Sequence, residues 1–97
     1  MKEYNSLQEV RSEIDIIDDK LVELIAQRSH LVAKASLFRN NAEELKANDR
    51  VDFVVQKVRQ KAIELDISPN MVANLFTIMV NDMIEREISE FRNTETF

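Results

Sequence analysis

Arg11, Arg28, Arg39, Arg50 and Glu87 are the side chains of this sequence whose types and spacing could do chemistry. Arg28 is the most telling. A 3-4-3-4 ladder runs Leu7, Val10, Ile14, Ile17, Leu21, Leu24, Arg28, Leu31, Ala35, Phe38, and Arg28 is its one rung that is not apolar. A ladder of that length marks a continuous helix whose seam packs against other helices. A guanidinium in such a seam costs several kcal/mol of desolvation unless an anion or a polar network answers it.

Arg39 lies eleven residues further on, roughly 20° around a straight helix and about 16 Å along it. Both cations therefore project to the same side. Arg50 sits in the first turn expected for a second helix, and Arg11 flanks the seam near its other end. Taken singly, Arg11, Arg39 and Arg50 also fit a plainer reading, as basic side chains that snorkel at helix edges and form surface ion pairs. Arg28 fits it least, because Leu24 and Leu31 flank it on the seam.

Glu87 is the second anomaly. Phe76, Met79, Met83, Glu87 and Phe91 follow helical spacing, which puts a carboxyl group on an apolar stripe. Its pKa would rise there unless a cation pairs with it. The plainer alternative is a salt bridge to an interior arginine. His30, the single histidine, has no second ligand at metal spacing and reads as a helix-edge residue. The four methionines sit at core spacing. No Ser–His–acid or Cys–His set exists, so covalent catalysis lacks a nucleophile and base. Guanidinium groups and one carboxyl suit a small dicarboxylate, because arginine binds carboxylates bidentately. A reaction that needs only positioning and electrostatic stabilisation could run in such a site without a cofactor or a metal.

The elements that must position these residues are helices. The chain has 97 residues with no glycine and one proline, which excludes a glycine-rich phosphate loop, a dinucleotide fingerprint and tight primed hairpins. With 44% apolar and 32% charged residues it can build a core, and its length fits a single domain, residues 1–97. The expected class is all-α. A net charge of −5 with no basic stripe argues against nucleic acid. No apolar run reaches the roughly 20 residues of a membrane span, and no secretory signal opens the chain. A cytoplasmic protein is the expectation.

Ser6-Leu7-Gln8-Glu9 has the pattern of a capping box and starts the first helix, which is expected to run to about Phe38-Arg39 and stop at Asn40-Asn41. Ala42 to Ala47 reads as a loop or frayed turn. Asn48 or Asp49 would cap a second helix carrying Val51, Val54, Val55, Val58, Ala62 and Leu65, which Asp66-Ile67 breaks. Ser68-Pro69 starts a third helix, expected to end near Arg92 before a loose tail. A first helix of about 33 residues would be roughly 50 Å long, against a diameter of about 32 Å for a compact globule of this size. The overhang calls for a second chain, so an obligate homodimer with paired long helices is expected.

These residues resemble a known family. Ser6-Leu7-Gln8-Glu9-Val10-Arg11, Ile14-Asp15-Ile16-Ile17-Asp18 and Leu24-Ile25-Ala26-Gln27-Arg28 resemble the first helix of the all-helical chorismate mutases, with its pattern L-x-x-x-R-x-x-I-D-x-I-D followed by L-x-x-R. Val32 to Arg39 continues the likeness, and Leu75-Phe76 with Glu87 fits the third helix. The resemblance implies an intertwined homodimer of three-helix chains that rearranges chorismate to prephenate by a Claisen shift without a covalent intermediate. It implies that Arg28 holds one substrate carboxylate and Arg11 of the partner chain the other. Arg39, where the family usually has lysine, would contact a carboxylate and the ether oxygen. Glu87, where many members have glutamine, would be the second donor to that oxygen, and Arg50 would support the site.

The chain departs from the mutase pattern at several positions. Val51 stands where mutases commonly carry a glutamate for the substrate hydroxyl, Ala47 where an aspartate is frequent, and Met83 where a small polar residue is usual. Related isochorismate-pyruvate lyases also lack hydroxyl-binding groups, and Ala35-Ser36 to Phe38 resembles them. The readings implied are a chorismate mutase, a lyase or a mutase acting on isochorismate or a modified chorismate, and a non-catalytic helical dimer or regulatory binding module that kept the fold.

Overall fold

The computed structural model describes residues 3–38 and 41–95, and the side chains of 41–48 and 86–95 lie outside that description. The chain is all-α: α1 spans Leu7–Ser36, α2 Asn41–Glu64 and α3 Pro69–Glu95. It divides into two compact units, Met1–Ala35 and Ser36–Phe97.

The first unit is α1. Ser6 caps it: its Oγ accepts the Glu9 N–H at 3.2 Å, and the Val10 N–H reaches the Ser6 carbonyl at 3.3 Å. The Glu9 carboxylate reaches back one residue further than a capping box requires, accepting the Asn5 N–H at 2.8 Å. α1 then runs 30 residues without a break and buries none of them. Leu7, Ile14, Ile17, Leu21, Leu24 and Leu31 of the seam are all about half exposed or more. The helix stops at Ser36, with Leu37 and Phe38 in a turn, so it ends two to three residues short of the expected Phe38-Arg39.

The second unit is a helical hairpin. Its main correction to the sequence reading is at the start: residues 42–47, expected as a loop, belong to α2 from Asn41 onward, and Asn48 and Asp49 are interior to the helix. The reason is propensity. Ala42-Glu43-Glu44-Leu45-Lys46-Ala47 is polar but consists wholly of strong helix formers. Polarity alone does not mark a loop.

The turn closing α2 is the break expected at Asp66-Ile67. Asp66 has a φ of 59°, the left-handed conformation that glycine usually supplies and this chain has no glycine to fill. The Ile67 N–H reaches the Ala62 carbonyl at 3.0 Å and the Asp66 N–H reaches Ile63 at 3.2 Å, the bond pair of a Schellman cap. Ser68 then caps α3, its Oγ accepting the Met71 N–H at 3.2 Å, with Pro69 at the first helical position. α3 continues to Glu95, three residues past the expected end near Arg92.

Two alanines close the hairpin. Ala62 near the end of α2 and Ala73 near the start of α3 are almost wholly buried. Side chains this small let helix axes approach at the short end of the 8–10 Å range. Arg59 Nη1 donates to Asn70 Oδ1 at 2.8 Å, tying the two helices across the turn.

Candidate functional site

Arg11 and Arg28 ride on α1. Arg11 is exposed and Arg28 half-buried, although the leucines one turn to either side of it on the seam are exposed. The unbroken helix fixes their separation. Seventeen residues at 1.5 Å rise put their Cα atoms about 26 Å apart, about 100° out of phase around the axis. A small dicarboxylate cannot bridge that span.

Arg50, Val51 and Met83 belong to the hairpin. A helical stripe of Val51, Val54, Val55, Val58 and Ala62 is half-buried or buried along α2. Met83 on α3 is buried, at 9% exposure. Residues equally distant from the turn lie level in such a hairpin: with Ala62 set level with Ala73, Val51 comes level with Ile84, the residue next to Met83. An apolar pair therefore occupies the level at which Arg50 enters. Arg50 is exposed, and its guanidinium carbon lies over the Phe53 ring, 5.4 Å from the centroid.

Glu87 lies on α3 one turn beyond Met83, with its side chain outside the described residues. Arg39 lies outside them altogether, as does the side chain of Ala47. The hairpin thus brings Arg50, Val51 and Met83 onto one pair of helices, and α1 carries the other two described cations. Sequence reasoning passed over Phe53. Its spacing from Arg50, three residues on one helix, was the available signal.

Chemically, α1 carries two cations that can meet carboxylates, and the hairpin carries a third beside apolar side chains without hydrogen-bonding groups. The family model described as chorismate mutase type II matches residues 10–88, a stretch that includes all seven candidate residues. The chain belongs to that family. It is an isomerase of the chorismate mutase type. A chorismate mutase of Methanocaldococcus jannaschii is 27% identical over 88 residues, covering 87% of this chain and 88% of that protein. A 4-amino-4-deoxychorismate mutase of Streptomyces venezuelae is 23% identical over 88 residues, covering 90% and 85%. No solved structure matches the chain. Among the described residues, no helix is long and apolar enough to cross a membrane.

Proposed function

We propose that this chorismate mutase family member rearranges chorismate to prephenate in a site shared between two copies of the chain, in the cytoplasm, on the route to aromatic amino acids. The observation that carries the two-chain site is the uninterrupted α1. If Arg28 and Arg11 hold the two carboxylates of one substrate, about 26 Å of rigid helix requires that they come from different chains. The exposed seam supports the same reading. Burying the remaining half of six leucine and isoleucine side chains contributes about 1 kcal/mol each, on the order of 6 kcal/mol per chain. Within the homodimer, residues 1–97 act as one domain.

In this site Arg28 and the partner chain's Arg11 orient the substrate. Arg39 and a protonated Glu87 stabilise the charge that develops on the ether oxygen as its bond to carbon breaks. Arg50 faces the substrate and binds it as a further cation, and Val51 and Met83 form the apolar wall nearest it. No covalent intermediate and no cofactor enter. Catalysis comes from holding the reacting carbons close and answering the transition-state charge.

One observation favours a second substrate. Val51 is half-buried and offers no acceptor to a ring hydroxyl, and one relative is named for a substrate with an amino group in place of that hydroxyl. Purified protein should be given chorismate, 4-amino-4-deoxychorismate and isochorismate in turn. Loss of chorismate absorbance with prephenate formation is the expected result. Preference for the amino compound would move the assignment to the second reading. Pyruvate with salicylate from isochorismate would make the protein a lyase, and no turnover of any of the three would leave a non-catalytic module.

A further inference from the structure

We propose that Phe53 is a positioning residue that holds the Arg50 guanidinium in its substrate-binding orientation. The inference rests on the reading above that Arg50 faces the substrate. It starts from an aromatic ring in an unexpected place. The stripe that packs α2 in the hairpin is Val51, Val54, Val55, Val58 and Ala62. Phe53 is two residues from Val51 and Val55, about 200° around the axis, on the opposite flank. It remains 57% exposed. The hairpin core does not account for a phenylalanine there, but Arg50 does. The two residues are three apart on one helix, so they share a face, and the guanidinium carbon lies 5.4 Å from the ring centroid. That is within the roughly 6 Å over which the negative face of the ring attracts a cation.

The geometry has a functional consequence. An arginine side chain carries a large rotamer entropy, and ordering it at the moment of binding weakens affinity. A ring that already holds the guanidinium removes part of that cost. A guanidinium held on a ring by its face leaves its N–H donors pointing outward in the plane, where a carboxylate can meet them bidentately. Arg50 can therefore rest on the ring and bind its anion together. Because the ring acts equally on the bound substrate and on the transition state, its removal should appear in KM and leave kcat alone.

The test is steady-state kinetics on chorismate with Phe53→Ala, Phe53→Leu and Phe53→Trp, each also made in an Arg50→Ala background, with helicity checked by circular dichroism. An exposed cation–π contact corresponds to a roughly two- to fivefold change in binding. Phe53→Ala and Phe53→Leu should each raise KM by that factor at unchanged kcat. Phe53→Trp should keep KM at or below wild type, since indole is the strongest partner for a cation. None of the three should alter KM further once Arg50 is alanine. Wild-type KM in Phe53→Leu would show that bulk and not the π face matters, and would overturn the proposal. The same holds for an effect of Phe53→Ala that persists without Arg50, and for one that falls on kcat. If Arg50→Ala itself leaves KM unchanged, Arg50 is not a substrate contact, and that part of the functional reading falls together with this inference. If Arg50→Ala raises KM while Phe53→Ala does not, the inference alone fails.

Discussion

Arg28→Ala separates a catalytic arginine from a structural one. Arg28 is half-buried in the middle of α1, with Leu24 and Leu31 one turn away on the same seam. Alanine there keeps the helix, since it is the best helix former. The loss of the aliphatic stem costs less than full burial of a large side chain would, about 1 kcal/mol or under. The loss to catalysis is larger. Two charge-assisted hydrogen bonds to a substrate carboxylate, at about 1.5–3 kcal/mol each, amount to about 3–6 kcal/mol. At 1.36 kcal/mol per decade, kcat/KM should fall by roughly 10²–10⁴. Arg28→Lys keeps the charge but not the fork and should fall between, by about 10–100-fold. Chorismate absorbance reads the activity, and circular dichroism with sedimentation reads fold and assembly. An alanine variant that unfolds or dissociates would make Arg28 structural. One that keeps kcat/KM within about threefold would remove it from the site.

Glu87 can donate to an ether oxygen only when protonated, so turnover should fall as pH rises through its titration, and Glu87→Gln should flatten the profile because an amide donates at every pH. A wild type with no such pH dependence, or a glutamine variant that keeps the wild-type fall, would take Glu87 out of the donor role. Asp66 holds a φ of 59°, so Asp66→Ala should lower Tm by about 4–8 °C, corresponding to about 1 kcal/mol, while Asp66→Gly should not lower it. A thermal melt in which alanine is the more stable of the two variants would mean that the left-handed turn carries no conformational cost.

The parts of the fold that were legible in the sequence are those with a local chemical signature. Ser6 and Ser68 announce helix starts, and both hydroxyls accept the expected N–H groups. Asp66-Ile67 announces a break, and it forms one. The start of α2 was misread because the residues of 42–47 lack an apolar stripe, and periodicity says nothing where there is nothing to bury; their helix propensity decides instead. The proposed anion site rests on Arg28, a single charge that interrupts an apolar ladder in the sequence. Phe53 carries only a weak signal, its spacing from Arg50, because an aromatic residue in a helix is usually core; the packed hairpin shows that this one lies off the core face and under Arg50. The Arg59–Asn70 bond depends on how α2 and α3 meet, which no local pattern specifies.

The central claim is that one site takes Arg28 from one chain and Arg11 from another. It is tested most directly by mixing two variants, Arg11→Ala and Arg28→Ala, each inactive alone, after unfolding and refolding them together. Random pairing gives half heterodimers. In each of these one site regains both arginines and the other loses both, so activity should return to about a quarter of wild type. No recovery above the separate variants, with heterodimers demonstrated by mass spectrometry, would contradict the account, because it would mean that both arginines serve the same site from a single chain or that one of them serves none.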